Sequence, residues 1–138
     1  LTARLESGAK QYGIETQVGS KIYDATKDRI TYRMLDYVVV KGRSEPERTY
    51  ELISEVGKEP QVYKELLPIW EEAIENYNNQ NWDKAIELFQ NCDDIEEDYI
   101  GRPTTPSKVY IERCENYKIT PPVPEGEEWD GAFKLTKK

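Results

Sequence analysis

Histidine is absent from this 138-residue chain, and cysteine occurs only at Cys92 and Cys114. A zinc site, or a nucleophile activated by imidazole, cannot be built from this chain alone. Two cysteines without metal-type spacing read as reduced core thiols of a cytoplasmic protein, with a disulfide as the alternative. Long apolar runs are missing as well. Nothing approaches the roughly 18 residues of a membrane span, and no signal-like start is present, so this segment is expected to make no membrane contact. Net positive charge is also lacking. With 19 Lys/Arg against 27 Asp/Glu, the chain stands at −8, the wrong sign for a nucleic-acid footprint.

What is present is soluble and globular, with 37% hydrophobic and 33% charged residues. The charge is not evenly spread. Residues 1–57 carry nine basic and nine acidic side chains, whereas 58–138 carry ten and eighteen, so the whole imbalance lies in the second part. That break predicts a boundary at Gly57. The sequence opens at Leu1 in mid-pattern with no cap ahead of it, and its one methionine is the internal Met34, which predicts a piece of a longer protein.

Leu1, Ala3, Leu5 and Ala9 give the first stretch an apolar side, predicting a helix over 1–11 that stops at Gly13. Ile14–Val18 is short and β-prone. Gly19-Ser20 predicts a turn with Ser20 as N-cap of a helix over Lys21–Asp28. Thr31–Val40 is the longest strand candidate, and its Val38–Val40 triplet suggests burial on both faces. A Lys41–Pro46 connection then leads to a closing strand, Arg48–Ile53. Three strands alone make a weak sheet, so this half is expected to be loose, oligomeric or swapped into another chain.

Ser54–Glu65 reads as a polar link. A helix is expected to begin near Pro68, since proline suits a first helical position. Ile69, Trp70, Ala73, Ile74 and Tyr77 mark its inner face, and Asn78–Asn81 a turn. Trp82, Ala85, Ile86, Leu88 and Phe89 mark a second helix. Together they have the look of one tetratricopeptide-type hairpin, with a core reading preferred over a groove for the aromatics. Thr105-Pro106 caps a third helix with Val109, Tyr110 and Cys114 inward. The Pro-rich tail leads through Trp129-Asp130-Gly131 to a short strand over Ala132–Thr136, with Trp129 read as a tail anchor or, alternatively, an interaction handle.

The order of these pieces resembles the end of the catalytic domain of class III nucleotidyl cyclases. That family has a VNxxxR motif opening a helix, then a VKG turn, then a last strand of the (T/V)YEL type. Arg4 matches the motif arginine, Lys41 the VKG lysine, and Thr49–Leu52 the last strand. The motif asparagine would stand just before Leu1. The second part, with Pro106-Ser107, Tyr110, Glu112-Arg113-Cys114, Pro121-Pro122 and Trp129-Asp130-Gly131, is similar to the C-terminal extension of some bacterial members.

The resemblance implies an α+β chain: a partial ferredoxin-like cyclase fold, mostly antiparallel, followed by helices and a short strand. It implies residues 1–57 as the end of a catalytic domain, 58–119 as a TPR-like extension and 120–138 as a tail. It further implies conversion of ATP, or GTP, to the 3′,5′-cyclic nucleotide and pyrophosphate at the interface of a homodimer. Arg4 would be catalytic, with its forked guanidinium on a phosphoryl oxygen, and Lys41 would bind the β/γ-phosphates. On spacing alone each reads as an ordinary surface cation. Mg²⁺ or Mn²⁺ would be held by aspartates of the parent outside this chain, because Asp24, Asp28 and Asp36 fall in the wrong elements. A regulatory or interaction module on a cyclase, and a non-catalytic cyclase homologue, are the alternatives.

Overall fold

Two runs rich in Thr, Tyr, Val and Ile form the central pair of a sheet. In the computed structural model, which describes residues 12–39, 42, 45–96 and 104–134, these are β2 (Ile30–Val39) and β3 (Glu47–Glu55), paired antiparallel. β1 (Gln17–Gly19) pairs antiparallel with the other edge of β3, and β4 (Phe133–Lys134) runs parallel to β2. The order is β1-β3-β2-β4. Helix α1 (Ser20–Thr26) joins β1 to β2. The chain divides into two compact units, Leu1–Pro60 with Ala132–Lys138, and Gln61–Gly131. The class is α+β.

The register fixes what each face of the first unit carries. Gln17 opposes Glu51, and Glu51 opposes Arg33, so these three polar residues form one row across β1, β3 and β2. Val18, Tyr50 and Met34 form the adjacent row, whose side chains point to the opposite face. On that second face Tyr23 of α1 stacks on Tyr50 with ring centroids 3.8 Å apart and meets Tyr32 edge-on at 5.3 Å. A register shift between Met34 and Asp36 places a bulge in β2, the device by which an extra residue re-aims its neighbours.

The second unit holds α2 (Gln61–Asn78), α3 (Trp82–Ile95) and α4 (Pro106–Ile119). Leu66, Trp70, Ala73, Ile74 and Tyr77 recur every three or four residues along α2 and are all buried. Ala73 and Ala85 are fully buried, small residues of the kind that let facing helices approach closely. Trp70 meets Phe89 at 5.1 Å and Tyr110 at 5.4 Å, and Tyr77 meets Tyr110 at 4.8 Å, all edge-on. Gln80 turns the hairpin with φ of +62°. Thr105 caps α4 by accepting the Lys108 N–H at 3.1 Å, with Pro106 in the first turn.

Several boundaries differ from expectation. Helix α2 begins at Gln61, not near Pro68, and so absorbs the end of the expected 54–65 link. Pro68 lies within the helix but faces solvent, while Leu66 and Trp70 on either side keep the apolar face continuous. Burial of that face offsets the ~3 kcal/mol that an interior proline costs. Gly19, not Ser20, occupies the N-cap of α1 and makes no side-chain cap bond; the helix ends at Thr26 rather than Asp28. Strand β3 extends past both ends of the expected 48–53. The helix expected over 1–11 and residues 135 and 136 of the last strand lie outside the described residues, although Gly13 does hold the left-handed φ of +72° that suits a helix stop. No helix among the described residues is long and apolar enough to cross a membrane.

Candidate functional site

Both residues expected to meet phosphate, Arg4 and Lys41, lie outside the described residues. What is described is the framework next to them in the chain. Lys41 follows β2 by two positions. Gly42, beside it, has φ of +87° with open space around its α-carbon, a left-handed turn conformation that glycine supplies without strain. The chain re-enters the sheet at Glu47 of β3.

Three charged side chains are almost completely buried in this framework: Arg33, Asp36 and Glu51, each 1% exposed. Arg33 Nε donates to Glu51 Oε1 at 2.7 Å, and its Nη2 reaches the same oxygen at 2.6 Å. The pairing is demanded by burial, since a lone charge here would cost several kcal/mol. Asp36 accepts the Tyr12 hydroxyl on Oδ2 and the Tyr37 N–H on Oδ1, the latter at 2.8 Å. This bond joins two regions of sequence: Tyr12 stands eight positions after Arg4, and Asp36 five before Lys41. Arg48 lies over the Tyr37 ring at 4.4 Å. Burial, with Tyr23 beside it, pushes the Tyr50 hydroxyl up.

Asp24 lies on α1, Asp28 in the turn after it, and Asp36 within β2. Among the described residues no group of three or more Cys, Asp or Glu could hold a metal ion. Of the polar residues, sequence reasoning passed over Arg33, Glu51 and Tyr12. The available signal was charge in the middle of two β-prone runs, where a solvent-facing side chain is the usual outcome.

In the second unit, Trp70, Tyr77 and Phe89 form a hairpin core, each 2% exposed or less. Trp82 and Trp129 are half-buried. Trp129 touches Tyr77, Tyr117 and Trp82, with ring centroids 5.1, 5.4 and 5.7 Å away, so it anchors the tail within this unit. Gln80 Nε2 donates to the Glu127 carbonyl at 3.1 Å, a second tie. Lys118 and Asp83 pair at 2.6 Å, a contact that raises the lysine's pKa.

No protein-family model matches the chain, and no solved structure matches it. A curated relative does: the protein named "Adenylate cyclase, terminal-differentiation specific" from Dictyostelium discoideum, 29% identical over 118 residues. The match takes in 83% of this chain and 5% of the relative, so the chain spans about 5% of that protein's length. A match of that extent, wherever it starts, takes in β2, β3, α2 and α3. Across both units, the chain is similar to a segment of an adenylate cyclase.

Proposed function

We propose that this chain is the C-terminal part of a class III nucleotide cyclase catalytic domain with its helical, TPR-like extension. The observation that carries the reading is the similarity to the Dictyostelium adenylate cyclase, over a stretch that takes in both the sheet and the helical hairpin. The VKG turn and the order of strands around it support the same reading. In this account the parent cyclises ATP, or GTP, by attack of the ribose 3′-oxygen on the α-phosphorus, with pyrophosphate leaving. The 3′-O–P bond forms as the bond to the pyrophosphate oxygen breaks, and the proton of the 3′-hydroxyl is released to solvent.

Negative charge grows on the α-phosphate and on the leaving group during this step. In this account Arg4 offers a forked guanidinium to the first, and Lys41 a point charge to the second. The buried Arg33–Glu51 pair and the Tyr12–Asp36 bond hold the sheet from which these segments leave. The site is completed by a second catalytic domain in a homodimer. Mg²⁺ or Mn²⁺ would lower the charge on the triphosphate, held by residues elsewhere in the parent. The chain alone is expected to be inactive, and a cytoplasmic location belongs to the same proposal.

The test is Arg4→Ala in the full-length parent. Turnover should fall about 100-fold, the ~3 kcal/mol typical of one lost preorganised donor, with little change in KM. Lys41→Ala should act more on KM. Near-normal turnover in Arg4→Ala would remove that residue from the chemistry.

A second reading, favoured by the separate compactness of Gln61–Gly131, is that this unit regulates or docks rather than supports catalysis. Because β4 belongs to the sheet, the informative deletion replaces 61–131 by a short linker and keeps 132–138. Intact basal activity with altered regulation would favour this second role.

A further inference from the structure

The turn between α2 and α3 and the tail segment after α4 enclose an open cleft of about 760 Å³. Its walls include the half-buried indoles of Trp82 and Trp129. Asn78 and Gln80 add amides to its lining, and the exposed Glu125, Glu127 and Glu128 stand at its lip. Among the described residues no lysine or arginine lines it. The unit as a whole, residues 61–131, carries six Lys/Arg against seventeen Asp/Glu, a net charge of −11.

This combination selects a class of occupant. The uncompensated carboxylates disfavour nucleotides, phosphates and acidic peptides, since like charge meets like at the entrance. They favour cations. Indole faces are the best aromatic partners for a guanidinium or an ammonium, and the exposed parts of Trp82 and Trp129 are available for that contact. Side-chain amides pair with an extended backbone through both donor and acceptor. The cleft is also pre-formed: the tail is tied down by the Gln80–Glu127 bond and by Trp129 packed on Tyr77 and Tyr117.

We propose that the Trp82–Trp129 cleft is a docking site for an extended, arginine- or lysine-containing peptide segment of a protein partner. The basic side chain lies on an indole with its charge toward Glu125 and Glu128. This inference is independent of the cyclase reading and stands whether or not Arg4 is catalytic.

The probe is a fluorescein-labelled nine-residue Arg-Ser-Gly repeat peptide, titrated against the 138-residue chain by anisotropy. A control peptide carries citrulline at every arginine, which keeps the shape and removes the charge. The arginine peptide is expected to bind at least about tenfold more tightly than the citrulline peptide, and to weaken as salt rises. Two triple variants, each three charges poorer, separate a site from a general acidic surface. One is Glu125→Gln/Glu127→Gln/Glu128→Gln at the lip. The other is Glu71→Gln/Glu72→Gln/Glu75→Gln, exposed on α2 and outside the cleft lining. The lip variant should lose about tenfold in affinity and the α2 variant less than about twofold. Equal losses in the two variants, equal binding of the two peptides, or no binding of either peptide would overturn the proposal. Far-UV circular dichroism confirms that both variants, all at exposed positions, remain folded.

Discussion

The two units bury very different things. In the sheet unit the deepest side chains include three charged ones, Arg33, Asp36 and Glu51. In the helical unit the interior is aromatic, with Trp70, Tyr77, Phe89 and Tyr110 packed mainly edge-on. The first arrangement depends on partners, because a buried charge is tolerable only when neutralised in place. The second depends on shape, because aromatic edges and faces gain only when they meet at the right angle. Loss of one residue should therefore expose different weaknesses in each.

The largest expected effect is Trp70→Ala. Removing this 1%-exposed side chain from contact with Phe89 and Tyr110 should cost roughly 4 kcal/mol, measured by urea unfolding followed by far-UV circular dichroism. Hydrogen exchange sharpens the result. Amide protection should fall along α2–α4 and persist across β2 and β3, and an equal fall in both would mean that the contrast between the units is false.

Arg33→Met comes next, at about 3 kcal/mol or more, because it removes the buried guanidinium that pairs with the Glu51 carboxylate. The double variant Arg33→Met/Glu51→Leu should recover most of that loss. A double variant as unstable as the single one would mean that the site needs charge rather than pairing.

A smaller effect is expected within the helical unit. Gly131→Ala forces a side chain onto a φ of +85° and places its β-carbon 2.6 Å from Asn78 Oδ1. The obstacle is the end of a side chain that can rotate, so the cost should be about 1–2 kcal/mol. Gly126→Ala, at φ of +86° with nothing within 4 Å, should cost about 1 kcal/mol, the backbone share alone. Thermal unfolding of the pair isolates the contribution of the Asn78 contact.

The smallest signature is chemical. Burial pushes the Cys114 thiol from its ordinary 9.0 up to about 12. The unfolded chain then releases this proton first as pH rises. The thiol's contribution to stability is therefore complete below pH 9 and is lost progressively between 9 and about 12. In a Cys92→Ala background, alkylation should stay slow from about pH 8 to about pH 10 and accelerate only when denaturant is added. Rapid alkylation under native conditions would show that the α3–α4 contact opens readily.

Much of the architecture was legible because periodicity and punctuation are local properties. The apolar spacing through Trp70, Ala73 and Tyr77 marked an inner face, and Thr105-Pro106 marked the start of α4 to the residue. The start of α2 was misplaced for a physical reason. Proline's local preference for a first turn lost to the burial of an apolar face that continues on both sides of Pro68. The buried charges were not legible. A sequence motif singled out Arg4 and Lys41, but Arg33 and Glu51 are eighteen positions apart and become partners only through the register of β2 and β3.

By itself the sequence determined most of the element types and the charge contrast between the two parts. Those follow from residue identity and spacing, which do not require knowing what lies across from what. Tertiary structure alone decided that β4 pairs parallel with β2, that Asp36 accepts the Tyr12 hydroxyl, and that two tryptophans forty-seven residues apart share one acid-lipped cleft. Each of these is a meeting of distant residues, and such meetings are set by which surfaces the whole chain can bury together.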